Sequence, residues 1–343
     1  MDVVLAKMSW KLIPCLRSEL RLDIVLKCGQ SFRWKSFNDQ PDQWIGVLGS
    51  RVWLLSQDQD HLKYKTFPKA EEDSGALDAF LADYFQLKVK LQPLYKVWAK
   101  EDPVFEKISS KFSGVRMLRQ HPVENLFSFI CSSNNNIQRI SSMVENLCIH
   151  FGTEIWKHEG VSYHTFPSVE QLAKNPMNVE KKLRGLGFGY RAAYIAKSAK
   201  QIAENGGEEY LLKLRTLPYQ EARDELLKLT GIGPKVADCV LLMSLDQTAA
   251  IPVDTHMFQI AANKYLPHLK GYKSVTDKAY KEIGDHFRSL YGDYAGWAHS
   301  VLFSADLKHL RDIESDTDTR VESKSKESKS SGSPMLKKRK KRA

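Results

Sequence analysis

The sequence predicts an α+β fold: an N-terminal antiparallel β-sheet subdomain with a helical array behind it. Three observations carry this. Residues 21–67 hold short aromatic and β-branched runs broken by turn clusters. From residue 77 to residue 307 apolar side chains recur at helical spacing. Beyond Arg311 the large apolar residues give way to Ser, Lys, Asp and Glu, a composition that cannot order itself.

In order, 21–26 (RLDIVL) and 31–37 (SFRWKSF) read as strands, and 38–41 (NDQP) as a turn. Residues 44–48 and 51–55 flank Gly49-Ser50 as a hairpin, and 62–67 alternates as a further strand. No connection has room for a crossover helix, so the strands are antiparallel. Helical faces follow at Leu77, Phe80, Leu81, Tyr84 and Phe85, then at Val123, Leu126, Phe127, Ile130 and Cys131. Ile137, Ile140, Val144 and Leu147 make another, capped by the asparagines at 134–136. Further helices are expected at 169–174, 191–204, 219–228, 235–245, 255–264, 276–290 and 296–307. There is no internal repeat. The expected organisation is a sheet domain at 9–118, a helical domain at 119–310 and a disordered basic tail at 311–343.

A chain of 343 residues that is 42% hydrophobic and 27% charged fits a soluble globular protein. No run approaches the apolar length of a membrane span, and the start, MDVVLAKMSWKLIP, makes a poor leader. Five scattered cysteines without a CxxC pair suggest a reduced compartment, no disulfide framework and no metal set. Of the net charge of +10, half lies in the tail, with eleven Lys/Arg against six Asp/Glu. The body is mildly basic, which favours a polyanion partner. The tail closes on LKKRKKR (336–342), a cluster typical of nuclear import signals or weak nucleic-acid contact, so a nuclear location is expected. The plainer alternative is a solvated tail with no address.

The chemistry concentrates in 229–238, LTGIGPKVAD. Gly231 and Gly233 frame one apolar residue between two helical patterns, where a missing Cβ permits a tight turn. Pro234 suits the first position of the second helix, and N–H groups at such a start attract phosphate. Together they read as a DNA-binding helix-hairpin-helix. Lys235 falls in the first turn of that helix, where the macrodipole disfavours a cation and burial would depress its pKa toward that of a nucleophilic amine. A lysine that only contacts phosphate, or only water, is the alternative. Asp254, in PVDTH (252–256), could be a plain N-cap; a lysine and an aspartate 19 residues apart in one module suggest more.

That spacing resembles the signature of helix-hairpin-helix glycosylases that both release a base and nick the strand. CGQSFRW (28–34), LFSFICSSNNNI (126–137), GFGYRAAY (187–194), LTGIGPKVADCVLLMSLD (229–246), PVDTH and YAGWAHSVLFSADL (294–307) resemble the eukaryotic 8-oxoguanine DNA glycosylases in particular. The resemblance implies a monomeric repair enzyme acting on double-stranded DNA that contains oxidised guanine, with no cofactor and no metal ion in the chemistry. Backbone carbonyls of the hairpin could still hold a structural cation. By the same resemblance, the damaged nucleotide is flipped into a pocket. There Lys235 attacks C1′, Asp254 stabilises the charged sugar, and a Schiff base leads to β-elimination. The Gly29 carbonyl accepts the N7 hydrogen of the oxidised base, and Cys239 and Phe303 stack on its two faces. Asn134 fills the gap in the duplex, Arg139 and Arg191 read the orphaned cytosine with Tyr190 wedged beside it, and His256 holds a phosphate. Each has a plainer reading as core, cap or phosphate clamp.

One departure stands out. His299 occupies the place where the family carries a glutamine that reads the base edge, which puts the range of lesions, formamidopyrimidine included, in doubt. An imidazole there is expected to titrate near pH 6.5 and to change discrimination across about pH 5.5–8, unless it is turned away and bonded within the protein. Rival readings are weaker. An iron–sulfur glycosylase needs C-terminal cysteines, and none follows Cys239. An alkylation-damage glycosylase lacks the hairpin lysine, and a non-catalytic DNA-binding scaffold leaves the pairing of Lys235 with Asp254 unexplained.

Overall fold

The computed structural model describes residues 9–37, 40–68 and 74–310. The tail at 311–343, with its expected disorder and import signal, lies outside them, as do Asn38 and Asp39 of the expected turn. Strands β1 (Lys11–Pro14), β2 (Lys35–Phe37), β3 (Gln40–Leu48), β4 (Arg51–Gln57) and β5 (His61–Phe67) form one antiparallel sheet in the order β1-β5-β4-β3-β2. Leu48 pairs with Arg51 across the Gly49-Ser50 turn. Trp44, Trp53, Leu55 and Tyr64 fill a core on one face, and Ile45, Val47, Val52 and Leu54 fill another on the opposite face. Burial on both faces is why RVWLL runs apolar without a polar alternate.

Two elements cover those faces. Leu77, Leu81 and Tyr84 of α2 (Ser74–Tyr84) close the first. A second hairpin, β6 (Glu154–His158) with β7 (Val161–His164), closes the other, and its Trp156 stacks on Phe67 at 4.5 Å. This hairpin was not expected. Its signal was Glu159-Gly160, a two-residue turn with both φ values positive, +47° and +81°.

One strand assignment is overturned. Within residues 21–26 the chain is helical, forming α1 (Leu22–Val25), and of 31–37 only Lys35–Phe37 pairs. Leu22, Val25 and Leu26 pack into the sheet core while Ile24 and Cys28 pack into the helical core. Burial on two sides leaves no polar face, so periodicity cannot separate strand from helix.

The remaining chain is helical: α3 (Leu91–Glu101), α4 (Pro103–Ser109), α5 (Pro122–Ser132), α6 (Ile137–Phe151), α7 (Val169–Ala173), α8 (Pro176–Gly185), α9 (Arg191–Glu204), α10 (Glu208–Lys213), α11 (Tyr219–Leu227), α12 (Pro234–Ser244), α13 (Thr255–Lys264), α14 (Asp277–Tyr291) and α15 (Ala295–Asp306). The α+β class is as expected, and α3, α4, α8 and α10 are additions to it. Buried Asp102 caps α4 through Val104 N–H at 2.8 Å and accepts the hydroxyls of Tyr265 (2.7 Å) and Tyr291. That carboxylate joins the N-terminal segment to the ends of α13 and α14. All five cysteines are buried and unpaired. Among the described residues no helix is long and apolar enough to cross a membrane.

Candidate active site

The turn between α11 and α12 is built as its sequence suggests, with one difference. Gly231 adopts φ +85°, and a Cβ there would lie 2.5 Å from the Tyr194 ring, so two constraints demand glycine. Gly233 has extended backbone (φ −99°, ψ 177°) and open space around it. The fold itself does not require glycine at 233, contrary to the reading that both glycines serve the turn. Pro234 opens α12 as expected. Helix α9 braces the turn from behind, where Gln201 accepts the Thr230 N–H at 2.9 Å and Ser198 donates to the Thr230 carbonyl.

Six residues singled out in the sequence line one small cavity: Gly29, Lys235, Cys239, Asp254, His299 and Phe303. They come from the turn after α1, from α12, from the start of α13 and from α15, so only the tertiary fold brings them together. The cavity encloses about 60 Å³ and opens through Gly29, Phe129, Lys235, Asp254 and Phe303 into a groove of about 790 Å³. Gly29 is at φ +84°, a left-handed conformation that favours glycine. Lys235 donates to Ser132 Oγ at 3.2 Å, and its ammonium lies 5.0 Å from the Phe129 ring centre. Asp254 is the N-cap of α13 and accepts the Met257 N–H at 2.8 Å. It faces the cavity at the same time, so the cap and the site are one residue.

Burial sets the charge of two walls. Cys239, one turn after Lys235, has its thiol pushed up to about 12 by desolvation, against the pull of the Lys235 charge. It therefore stays a neutral, polarisable surface. His299 is pushed down to about 4, again chiefly by burial, with Asp254 and the Pro252 backbone pulling the other way. The expectation that this ring titrates near pH 6.5 is thus corrected: it is neutral at neutral pH. Neither ring nitrogen has a hydrogen bond of ordinary geometry among the described residues, and the ring stacks at 6.4 Å on Phe303. The ring lines the cavity, beside the Pro252 backbone.

Of the other candidates His256 lines the groove, while Asn134, Arg139, Tyr190 and Arg191 gather about the turn after α5, outside its lining. Of the three asparagines, Asn136 caps α6 through Arg139 N–H (3.0 Å) and Asn135 bonds back to Cys131 (2.9 Å). Asn134 is exposed in the left-handed region at φ +47°. Arg139 is exposed and reaches the Gly187 carbonyl at 3.3 Å. Tyr190 is 46% exposed, with its hydroxyl on the Ser133 carbonyl at 3.1 Å. Arg191 is buried; its guanidinium donates to the Ser133 and Asn134 carbonyls and lies over the Tyr190 ring. In this conformation it holds the asparagine turn rather than presenting itself outward. His256, exposed in the first turn of α13, lies 3.8 Å from Asp306 and edge-on to Phe303.

Sequence reasoning missed Phe129 and Ser132, which line the site beside Lys235. Phe129 and Ser132 stand three residues apart at the end of α5, a spacing shared with any core-facing helix. Only their placement beneath Lys235 distinguishes them.

Residues 12–126 match a family described as 8-oxoguanine DNA glycosylase, N-terminal domain, and residues 127–285 match the HhH-GPD superfamily of base excision DNA repair proteins. The chain is 40% identical to N-glycosylase/DNA lyase OGG1 of Arabidopsis thaliana over 310 residues, covering 87% of this chain and 80% of that one. It is 38% identical to the N-glycosylase/DNA lyase of Saccharomyces cerevisiae over 322 residues, covering 85% and 84%. Among solved structures it is similar to the Clostridium acetobutylicum 8-oxoguanine glycosylase/lyase bound to double-stranded DNA with cytosine opposite 8-oxoG. That likeness has a TM-score of 0.71 at 28% identity, covering 83% of this chain and 91% of that one. A 3-methyladenine DNA glycosylase of Archaeoglobus fulgidus shares the fold, with a TM-score of 0.65 at 17% identity over 87% of this chain and 98% of that one.

Proposed function

Because this chain belongs to the 8-oxoguanine DNA glycosylase family of base-excision-repair enzymes, we propose that the cavity around Lys235 is its active site, with Lys235 the nucleophile and Asp254 its electrostatic partner. The chain is an N-glycosylase with DNA lyase activity whose substrate is double-stranded DNA carrying 8-oxoguanine. The observation that carries the residue assignment is the convergence of Lys235, Asp254, Cys239, His299, Phe303 and Gly29 on one cavity.

In this reading Lys235 Nζ attacks C1′ as the C1′–N9 bond breaks and the base leaves with the bonding pair. Asp254 stabilises the positive charge that develops on the sugar. Opening of the sugar ring leaves an iminium between Lys235 Nζ and C1′. That iminium acidifies the C2′ proton; its removal expels the 3′ phosphate oxygen and cuts the strand. The Gly29 carbonyl selects the N7 hydrogen of the oxidised base, and neutral Cys239 supplies an unsolvated face for stacking.

Half-buried Phe303, between His256 and His299, is the wall placed to stack on an admitted base. Recognition of the opposing cytosine falls to Arg139 and Arg191, the latter on release from the Ser133 and Asn134 carbonyls, with Asn134 entering the vacated space. His256 and the N–H groups at the start of α12 suit phosphates. His299 presents one donor and one acceptor to the base edge, a pattern that suits 8-oxoguanine and formamidopyrimidine lesions alike. The enzyme acts as a monomer.

The deciding experiment is borohydride reduction during reaction with an 8-oxoguanine:cytosine duplex. Wild-type protein is expected to yield a covalent adduct. Lys235→Gln is expected to yield none and to cut no strand while still binding the duplex; an adduct at the wild-type rate would assign the nucleophile elsewhere.

A further inference from the structure

Asp238 stands on α12 three residues after Lys235 and one before Cys239, and it is fully buried. Its Oδ1 accepts the hydroxyl of Tyr219 on α11 at 2.8 Å, its Oδ2 accepts the hydroxyl of Tyr280 on α14, and Arg223 Nε lies 3.5 Å from Oδ1. A carboxylate so deeply buried persists only with such partners. Tyr280 has one proton, and the carboxylate is its strongest acceptor. Its oxygen is thereby turned to accept the backbone N–H of Val253 at 3.3 Å, beside the Ile251 carbonyl, also at 3.3 Å.

Val253 immediately precedes Asp254, in a stretch without regular secondary structure. Pro252 has no N–H, so the Val253 amide is the hold that Tyr280 has on this segment. Among the described residues no hydrogen bond or ion pair joins Lys235 to Asp254 directly. The path Asp238–Tyr280–Val253 does connect the helix that carries one to the segment that carries the other.

We infer that Tyr280, seated by Asp238, is a positioning residue that fixes Asp254 relative to Lys235. This rests on the assignment of those two residues given above. Tyr219 supplies the contrast: it donates to the same carboxylate and, among the described residues, makes no hydrogen bond to residues 251–254.

The test compares Tyr280→Phe with Tyr219→Phe in the full chain. Each loses one hydroxyl from Asp238, so the thermal midpoints are expected to fall alike. Only Tyr280→Phe is expected to slow single-turnover base excision and borohydride trapping, by roughly ten- to a hundredfold, because small misplacements of reacting groups carry losses of that order. Its duplex affinity is expected to match the wild type, a split that general destabilisation does not produce. Equal slowing in both variants, or wild-type rates in both, overturns the inference. Should Tyr280→Phe not fold, Asp238→Asn decides: slowed excision with unchanged duplex binding supports the inference and an unchanged rate overturns it. Lys235→Gln is run alongside, because an adduct that persists in that variant defeats the nucleophile assignment itself, whatever the tyrosine variants do.

Discussion

The Asp254 carboxylate accepts the Met257 backbone N–H at 2.8 Å and lines the same cavity as Lys235. The two duties separate by substitution. Asparagine caps a helix about as well as aspartate but carries no charge. Asp254→Asn is therefore expected to keep its melting temperature and to lose roughly a hundredfold or more in single-turnover excision, the scale of a lost transition-state stabiliser. Asp254→Ala is expected to lose about 1 kcal/mol of stability in addition. A wild-type excision rate in Asp254→Asn would reduce the residue to a cap.

His299 ties stability to pH in a definite direction. Its folded pKa of about 4 lies below the ordinary imidazole value, so both folded and unfolded chains carry it neutral at pH 7. Between about pH 6.5 and pH 4 the unfolded chain takes up a proton that the folded chain refuses, so stability falls as pH falls. The full effect is about 3 kcal/mol at the acid end, from ~1.4 kcal/mol per unit. Urea titrations from pH 4 to 8 are expected to show a shallower acid loss for His299→Gln than for wild type, with parallel curves above pH 7. Identical acid slopes would mean that water reaches the ring. The ratio of 8-oxoguanine to formamidopyrimidine excision is expected to stay constant across about pH 5.5–8, because the ring does not titrate there.

The hairpin glycines divide. Gly231→Ala meets both a left-handed φ and the Tyr194 ring, and is expected to cost about 2–4 kcal/mol from the backbone and overpacking penalties together. Gly233→Ala enters open space on extended backbone and is expected to leave stability within about 0.5 kcal/mol. Any loss in Gly233→Ala is expected in duplex affinity, where a methyl would stand between the helix start and a phosphate. Thermal melts and binding isotherms on the two variants separate these outcomes.

The described fold closes at Leu310, which is 1% exposed. A chain ending there is expected to melt and excise like the full protein. Loss of eleven Lys/Arg and six Asp/Glu, with LKKRKKR among them, is expected to lower nuclear accumulation of a fluorescent fusion and to flatten the salt dependence of DNA binding. A large fall in melting temperature would make the tail part of the folded domain.

Local chemistry is what the sequence by itself determined. Two-residue turns, the Gly231 turn, Pro234 at a helix start, the Asn136 and Asp254 caps and the amphipathic stripes depend on neighbours a few positions away. They gave the α+β class, the hairpin and Lys235 without any long-range information. Where a segment is buried on two sides, as at Leu22–Val25, that local signal vanishes and only packing decides between strand and helix.

The tertiary structure alone decided everything that depends on distance through space. No local pattern marks Phe129 and Ser132, which α5 places under Lys235, or Asp238, which Tyr280 joins to Val253. Arg191 is expected from the resemblance to read the orphaned cytosine and is buried on the Ser133 and Asn134 carbonyls in the fold. The charge of His299 belongs to the same class. A pKa follows from how much water and which charges surround a ring, and the walls of its cavity come from segments more than two hundred residues apart, from Gly29 to Phe303.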